Sequence, residues 1–298
     1  MKIVIVGPGA MGCLFAGLLS KNPKNEVWLL DKNPERTAVI KKNGIKISGL
    51  TKKNTKTKIT INPNEIGTAN FILIFVKSYD TESAIKSVLP CINKETIILS
   101  LQNGLGNIEI IRKYSVNNVF AGITSIGATL VGLGKVKHAG KGATIIGKNI
   151  RAKEIAKTFN KTGIVIKINN NIDSIIWSKL VLNSAINPLG AITQMKNGEL
   201  IENCYIKDSL IQTVKETAMI AKDLGIKLLY KNPEKEVVNA CKKTKNNTNS
   251  MLQDILNRKQ TEIEYINGAI IKQAEKLKLE APLNKNLYSR VKSIEKKP

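Results

Sequence analysis

The stretch MKIVIVGPGAMGCLFAGLLSK, residues 1–21, decides the fold of this chain. It opens with a β-branched run that predicts a buried strand, and it continues with a segment of helical spacing. GPGAMG (7–12) joins the two and has the spacing GxGxxG. In such a turn Gly7 permits the tight bend, Gly9 leaves room for a pyrophosphate, and Gly12 lets helix and strand pack closely. This context favours a dinucleotide-binding turn over a plain strand-to-helix turn, because the amides of the helix N-terminus then face the phosphates.

Buried strands alternate with helices along the first half of the chain, which predicts a parallel α/β sheet. The predicted strands are NEVWLLD (25–31), ANFILIFVK (69–77) and TIILSLQNG (96–104), and the predicted helices are ERTAVIKKNG (35–44) and the segment around 82–89. Polar alternating segments at 45–47 and 58–61 predict edge strands. The glycine-rich segment 118–147 also alternates, and we interpret it as the antiparallel end of the sheet.

Helical periodicity dominates the second half of the chain. The clearest helices are DSLIQTVKETAMIAKDLGIKL (208–228), which Gly225 should stop, and EIEYINGAIIKQAEKLKL (262–279). A polar turn at 168–172 separates the two patterns. We therefore predict an α/β chain with an N-terminal dinucleotide-binding domain (1–170) and an all-helical C-terminal domain (171–298).

The chain is strongly basic. Its 298 residues include 47 Lys and Arg against 23 Asp and Glu, which gives a formal net charge of +24 and a pI of about 9.8. Such a charge raises the question of nucleic-acid binding. The lysines are scattered, however, aromatic residues make up only 4 %, and no zinc-finger, RNA-recognition or basic-zipper pattern occurs. We therefore favour a lysine-rich proteome as the cause, and we expect neither a nucleic acid nor a membrane as partner.

Cysteine and histidine usage argues against several catalytic classes. The four cysteines lie far apart without a CxxC spacing, which disfavours a zinc ribbon and a redox pair. His138 is the one histidine, which disfavours Ser-His-Asp, Cys-His and histidine–metal chemistry, so we expect no metal. No signal peptide precedes the first strand, and no apolar run reaches the roughly 18 residues of a membrane span. We expect a cytoplasmic protein with reduced thiols.

An acidic residue ends the second predicted strand. Asp31 at this place can bind a ribose 2′-OH and repels a 2′-phosphate, which favours NAD(H) over NADP(H). Lys32 and Arg36 stand close by and weaken this argument, because basic side chains attract a phosphate.

The apolar segment WSKLVLNSAINPLGAI (177–192) predicts a buried helix with a polar stripe. Lys179 and Asn183 stand four residues apart on one face, and Asn187 follows one turn later. Because burying an unpaired charge is costly, this face either opens to solvent or meets a ligand. A lysine snorkelling from a helix is the structural alternative, and Asn187 before Pro188 also suits a turn.

Five segments resemble the ketopantoate reductase (2-dehydropantoate 2-reductase) family in order and spacing. They are GPGAMG, VKSYDT (76–81), LQNG (101–104), the segment 177–192, and SMLQD…TEIEYING (250–268). The resemblance covers nearly the whole chain. It implies a Rossmann domain followed by a helical domain, with the active site in the cleft between them. It also implies an oxidoreductase that reduces 2-dehydropantoate to (R)-pantoate with NAD(P)H, on the route to pantothenate and coenzyme A.

The resemblance also implies roles for particular residues. Lys179 would be the catalytic proton donor, since an ammonium can give up a proton that arginine retains. The expected cofactor contacts are Gly7, Pro8, Gly9, Ala10, Met11, Gly12, Asp31, Lys32, Lys77, Asn103, Ala128 and Glu262. The expected substrate contacts are Asn103, Lys179, Asn183, Asn187, Asn197, Ser250, Met251, Leu252 and Gln253.

Some of these positions have structural interpretations as well. Ser250 and Gln253 fit a capping box, with Ser250 as the N-cap of a helix. Glu262 would lie in the first turn of a helix, where the dipole favours an acid. Asn197 precedes a glycine, which is a common turn.

One departure from the family concerns the cofactor. Most members to which we compare the chain use NADPH and carry a basic residue where Asp31 stands, so the resemblance favours NADPH and Asp31 favours NADH. The alternatives to this reductase are a related 2- or 3-hydroxyacid dehydrogenase and a non-catalytic dinucleotide sensor. A homodimer is compatible with the sequence.

Overall fold

The structure is a computed structural model that describes residues 1–115 and 118–295. The chain divides into two compact units, residues 1–102 with 107–172 and residues 103–106 with 173–298. The first unit is α/β, and the described part of the second is helical, as the sequence predicts. The domain limits 1–170 and 171–298 stay a prediction.

The first unit alternates strands and helices. In chain order its elements are β1 (Lys2–Val6), α1 (Ala10–Leu19), β2 (Glu26–Leu30), α2 (Pro34–Asn43), β3 (Ile45–Gly49), β4 (Lys53–Thr55), β5 (Lys58–Thr60), β6 (Phe71–Ile74), α3 (Thr81–Val88), β7 (Ile97–Ser100), α4 (Asn107–Tyr114), β8 (Asn118–Thr124), β9 (Gly127–Gly132), β10 (Lys135–Gly140), β11 (Thr144–Gly147), α5 (Ala152–Asn160) and β12 (Ile166–Asn169).

Eight of these strands form the main sheet, in the order β12-β11-β8-β7-β6-β1-β2-β5. The six strands from β5 to β8 pair in parallel, which is the strand order of the Rossmann dinucleotide-binding fold. Side chains of β1 alternate between two cores. Ile3 and Ile5 pack with α1 on one face, and Val4 and Val6 pack with α3 and α4 on the other. Burial on both faces explains why the strand reads as a continuous apolar run.

A separate four-stranded sheet has the order β4-β3-β10-β9. It corrects two predictions. The segment 45–47 is not an edge, because β3 lies between β4 and β10. Within 118–147, only β11 extends the main sheet antiparallel, on β8, while β8 itself runs parallel to β7. Alternation could not reveal this arrangement, because it indicates which face of a strand is buried and not which strand lies beside it. The prediction of an edge strand at 58–61 is confirmed by β5.

Six helices make up most of the second unit. They are α6 (Ile172–Thr193), α7 (Cys204–Asp223), α8 (Pro233–Lys243), α9 (Ser250–Leu256), α10 (Asn267–Lys276) and α11 (Pro282–Glu295). Helix α6 contributes to two cores, with Trp177 and Leu180 in one and Val181 and Ala185 in the other. By length and composition α6 could cross a membrane, so the expectation that no segment reaches this apolarity is wrong. Because 72 % of its most apolar 18-residue stretch is buried inside the protein, α6 matches the core helix of a globular domain equally well.

The helix predicted over 262–279 begins five residues late, at Asn267. Glu262 therefore lies in a turn ahead of α10 and not in its first helical turn. The carbonyl of Glu262 accepts hydrogen bonds from the amides of Tyr265 (3.0 Å) and Ile266 (3.1 Å), which close this turn. Helical periodicity in the sequence does not distinguish such consecutive turns from a continuous helix.

Candidate functional site

The glycine turn between β1 and α1 has the geometry that its sequence predicts. Gly7 has φ +92°, and a Cβ there would lie 2.7 Å from Cγ1 of Val76. A Cβ on Gly12 would lie 2.2 Å from the carbonyl oxygen of Gly7, so only glycine permits this approach of helix to loop. A Cβ on Gly9, by contrast, would meet no atom of the described residues within 4 Å. The turn is therefore tight at both ends and open in its middle.

Helix α1 begins inside this turn. Pro8 is buried and its carbonyl accepts from Sγ of Cys13 (3.2 Å), while Ala10 and Met11 are half-buried and pack against the first core. No side chain of the described residues caps α1, and its first turn contains no acidic residue. The positive end of its dipole is therefore left for an anion, and a phosphate suits it.

Asp31 and its neighbours form two ion pairs. Its side chain is only 2 % exposed and accepts two hydrogen bonds from the guanidinium of Arg36, at 2.5 and 2.6 Å. This hydrogen bonding raises the pKa of Arg36, against the opposing effect of burial. Lys32 is largely exposed and pairs with Asp80 at 2.7 Å. Both basic side chains near Asp31 are thus already bound to a carboxylate.

The other expected cofactor residues of the first unit lie apart in the chain. Lys77 is half-buried and immediately precedes a 3-10 turn, Ser78–Asp80, after β6. Ala128 lies on β9 of the four-stranded sheet, opposite His138 on β10, and packs partly against the first core. The cofactor roles of Lys77 and Ala128 stay predictions.

The polar stripe of the sequence 177–192 lies on α6. Lys179 and Asn183 are half-buried, and Asn187 is 5 % exposed. Ser178, directly before Lys179, accepts from the hydroxyl of Tyr230 through its carbonyl and from the amide of Leu229 (2.8 Å) through its Oγ. The stripe therefore changes along the helix, from half-buried at Lys179 and Asn183 to buried at Asn187.

Lys179 has an unusual protonation equilibrium. Burial lowers the pKa of its ammonium from the ordinary 10.5 to about 8, and the carboxylate of Glu262 opposes this effect. Glu262 is itself buried, at 5 % exposure. Lys179 is therefore mainly charged at neutral pH but close to its titration point, which suits a group that donates a proton.

Asn103 belongs to a segment that packs against the turn after Glu262. The amide of Leu105 donates to the carbonyl of Tyr265 at 2.9 Å. Gly104 has φ +79°, and a Cβ there would lie 2.4 Å from the same carbonyl oxygen. The structure thus brings residues 103–106, which begin with Asn103 and Gly104 of the LQNG motif, together with the turn that carries Glu262 within the second unit.

The start of α9 differs from the prediction by one residue. Asn249 is the N-cap, and its Oδ1 accepts from the amide of Leu252 at 3.0 Å, so Ser250 is not the cap and is exposed. Asn249 caps the helix because its side chain makes two hydrogen bonds at once. Its Oδ1 accepts from a helix amide, and its Nδ2 donates to the carbonyl of Ile186 on α6 (3.2 Å). Gln253 donates to the carbonyl of Thr248 at 2.7 Å.

The remaining residues of this segment are structural in the first place. Met251 and Leu252 are buried, and Met251 belongs to a core of the second unit. Asn197 is 7 % exposed. Its side-chain Nδ2 donates to Oγ1 of Thr244 at 2.9 Å, and its main-chain N–H donates to the carbonyl of Asn247 at 3.0 Å. These contacts hold the turn at Asn197 in place.

Sequence reasoning missed Asn249, which links the start of α9 to α6. A Cβ on Gly190 would lie 2.1 Å from Nδ2 of Asn249, so the helix has a glycine where this side chain crosses it. Asparagine is among the preferred N-caps, and it directly precedes SMLQ, which is the signal that could have identified it.

The remaining reactive groups of the described residues give no sign of metal or thiol chemistry. No group of three or more His, Cys, Asp and Glu side chains that could hold a metal ion occurs in the described part of the chain. Burial raises the pKa of the Cys13 thiol, behind the glycine turn, to about 12, so it is not a thiolate nucleophile. His138 bonds Oγ1 of Thr51 through Nδ1 at 3.0 Å.

Two family profiles match most of the chain. The profile described as "Ketopantoate reductase PanE/ApbA" matches residues 3–151, and the one described as "Ketopantoate reductase PanE/ApbA C terminal" matches residues 171–295. Among curated relatives, the 2-dehydropantoate 2-reductase of Pyrococcus horikoshii is 40 % identical over 301 residues, with 99 % of this chain and 98 % of that protein covered. The enzyme of the same name from Archaeoglobus fulgidus is 32 % identical with the same coverage.

Solved structures with the same fold agree with these matches. A PanE/ApbA family ketopantoate reductase from Ralstonia eutropha has a TM-score of 0.93 at 29 % identity, with 99 % of this chain and 98 % of that chain covered. D-mandelate dehydrogenase, solved with NADH and anilino(oxo)acetate, has a TM-score of 0.91 at 30 % identity and the same coverage. From the profiles and the full-length relatives, we conclude that this chain belongs to the ketopantoate reductase family.

Proposed function

We propose that this protein reduces the ketone of 2-dehydropantoate to the alcohol of (R)-pantoate with NAD(P)H, a step of pantothenate and coenzyme A biosynthesis. The polar stripe of α6 carries the proposal. Half-buried Lys179, with its pKa lowered to about 8, shares a helix face with Asn183 and Asn187. A proton donor beside two amides is what a keto acid with a carboxylate and a hydroxyl requires.

Lys179 is the proton donor of this proposal. Its ammonium donates a hydrogen bond to the ketone oxygen and polarises the carbonyl before the reaction. As the carbon is reduced, the oxygen takes a proton from Nζ, and the neutral amine is recharged from solvent. Glu262 keeps the ammonium charged until the substrate is bound, since its carboxylate raises the pKa of Lys179 against the effect of burial.

The glycine turn fits the pyrophosphate of a dinucleotide. The space in front of Gly9 admits the phosphates, and the uncapped start of α1 attracts their charge. When bound, the reduced nicotinamide supplies the hydride that the ketone carbon receives. We propose Lys77, Asn103 and Ala128 as further cofactor contacts, with Glu262 on the nicotinamide side.

We infer a preference for NADH over NADPH. A 2′-phosphate at the end of β2 would meet the charge of Asp31. Arg36 and Lys32 could offset this repulsion, but each is engaged by a carboxylate, Arg36 by Asp31 and Lys32 by Asp80. This pairing outweighs the general use of NADPH by the family.

For the substrate, we propose that Asn183, Asn187 and Asn103 bind its hydroxyl and carboxylate. Amides suit both groups because each amide offers a donor and an acceptor. The segment from Ser250 to Gln253 and Asn197 stay proposed substrate contacts on the strength of the family resemblance. Exposed Ser250 has its hydroxyl available at the start of α9.

The second candidate function is the reduction of another 2-keto acid. The structural similarity to D-mandelate dehydrogenase, at 30 % identity, supports this alternative. The third, a non-catalytic dinucleotide sensor, has no comparable support from these residues.

A panel of keto acids distinguishes the candidates. Initial rates of NADH and NADPH oxidation are measured with 2-dehydropantoate, pyruvate, 2-oxoisovalerate and phenylglyoxylate. We expect the highest kcat/KM with 2-dehydropantoate and NADH. A higher value with phenylglyoxylate would establish the second candidate, and binding of NADH without turnover of any keto acid would establish the sensor.

We also propose a cytoplasmic location, in keeping with the place of such a biosynthetic step. The homodimer stays a prediction, as does the division into domains 1–170 and 171–298.

A further inference from the structure

We propose that Asn267, the first residue of α10, is a positioning residue for the polar stripe of α6. This rests on the proposed function, because the stripe is what would orient the keto acid. The starting point is a gap that the sequence builds into α6. Pro188 lies inside the helix and has no N–H, so the carbonyl of Ser184 lacks its usual helical donor.

Asn267 supplies the missing donor. Its Nδ2 lies 2.9 Å from the carbonyl oxygen of Ser184 and 2.9 Å from Oδ1 of Asn284. Asn267, Asn284 and Ser184 are all completely buried. Water therefore cannot replace the donor, and its loss would leave a buried carbonyl without a partner.

The direction of this donation follows from Glu216 on α7. A carboxylate only accepts, so Asn284 turns its Nδ2 toward Oε1 of Glu216, at 2.8 Å. This leaves Oδ1 of Asn284 as an acceptor, and Asn267 must therefore donate to it as well as to Ser184. Glu216 is fixed in turn by the amides of Leu283 and Asn284 at the start of α11, both at 2.9 Å.

The contact is placed where it affects the stripe. Ser184 follows Asn183 directly, and the helical turn from Ser184 to Pro188 also contains Asn187. The spacing of the two amides depends on the geometry of this turn, and a helix tends to kink where a proline interrupts its hydrogen bonds. Asn267 restores the bond at this point without having to touch the substrate.

The test combines Asn267→Leu with Pro188→Ala. Leucine has nearly the shape of asparagine but donates no hydrogen bond, so we expect KM for 2-dehydropantoate to rise about tenfold or more while Kd for NADH is unchanged. Alanine at position 188 restores a main-chain N–H that can bond the carbonyl of Ser184. In the double variant KM should therefore return most of the way to the wild-type value. A role of Asn267 in stability alone would not produce this recovery.

Thr217→Val is the matched control. It removes a buried hydroxyl that accepts from Nδ2 of Asn284 (3.0 Å) and lies 3.1 Å from Oγ of Ser184, but it keeps the bond from Asn267. We expect its KM to stay within about twofold of wild type, even if its Tm falls. A rise in KM equal to that of Asn267→Leu, or a double variant no better than Asn267→Leu, would overturn the proposal.

Hydrogen exchange separates this inference from the proposed function. In Asn267→Leu the amides on either side of Pro188, at residues 184–187, 189 and 190, should exchange faster, and Pro188→Ala should slow them again, whatever the substrate is. If wild type does not reduce 2-dehydropantoate but this pattern holds, the proposed function fails and the role of Asn267 in α6 stands. If Asn267→Leu does not fold, hydrogen exchange is measured in Asn267→Ser with and without Pro188→Ala. If Pro188→Ala does not slow the exchange of these amides in Asn267→Ser, the inference is contradicted.

Discussion

Replacing Glu262 by glutamine should move the alkaline limb of the pH–rate profile to lower pH. Burial lowers the pKa of Lys179 from 10.5 to about 8, and the charge of Glu262 opposes that shift. At 5 % exposure, the Glu262 carboxylate is little screened by water. Glutamine retains the shape and removes the charge, so burial then acts on Lys179 without opposition.

The size of the effect can be worked out from this pair. An opposite charge close to a buried group shifts its pKa by about one unit or more. With a change of about one unit, the pKa of Lys179 falls to about 7 in the variant. At pH 8 the protonated fraction then drops from about one half to about one tenth, which is about a fivefold loss of kcat/KM. At pH 6 Lys179 is protonated in both proteins, and their values of kcat/KM should nearly agree.

The assay is kcat/KM for 2-dehydropantoate, followed by NADH absorbance from about pH 6 to about pH 10. Glu264→Gln is the control, because Glu264 lies on the same turn but pairs with Lys272 (2.7 Å) and accepts from Tyr288 (2.6 Å). Its alkaline limb should not move. A limb that stays in place in Glu262→Gln, or that moves to higher pH, would refute the argument that the Lys179 ammonium is the titrating acid.

Three further predictions follow from the same contacts. Lys179→Arg keeps the charge but cannot release a proton, so kcat should fall at least about 100-fold with NADH binding retained in a fluorescence titration. Gly12→Ala would place its Cβ 2.2 Å from a carbonyl oxygen, so it should reduce the free energy of unfolding by about 1–3 kcal/mol and lower Tm. Gly9→Ala has space for its Cβ, so its Tm should stay constant while Kd for NADH rises, because the methyl group occupies the place of the pyrophosphate. Asp31→Asn removes the repulsive charge and releases Arg36 from its ion pair, so Kd for NADPH should fall below that of wild type, and an unchanged ratio of NADH to NADPH affinity would show that Asp31 is not the selector.

The sequence predicts the glycine turn well because each of its three glycines answers to a separate steric requirement. Gly7 requires a positive φ, Gly12 allows a close contact of the helix with the loop, and Gly9 leaves space beside the turn. The structure has all three features. Such requirements are local, so residue type and spacing express them directly.

Predictions fail where the deciding partner is distant in the chain. Strand β3 belongs to a separate sheet because β10, about 90 residues later, pairs with it, and no pattern within 45–47 indicates this. The cap of α9 is Asn249 because this side chain also reaches α6. The predicted start of α10 at Glu262 is wrong because a series of turns there has the same apolar spacing as a helix.

The chemistry of Lys179 lies between these two cases. Its stripe with Asn183 and Asn187 can be read from a spacing of four residues. The shift of its pKa cannot, because it depends on how deeply α6 is buried and on Glu262, which is more than 80 residues away in the chain. Sequence thus identifies the residue, while its acidity is a property of the folded unit.

The assignment of residues 103–106 to the second unit bears on how this protein can fold during synthesis. The ribosome releases this segment in the middle of the first unit, long before Tyr265, to which Leu105 and Gly104 are fitted, has been made. The Rossmann sheet can therefore form around β7 while residues 103–106 still lack the segment of the second unit to which they bind. A nascent chain arrested before residue 265, or a fragment that ends at residue 170, would lack the contacts of Gly104 and Leu105 to Tyr265 even when the surrounding sheet is native.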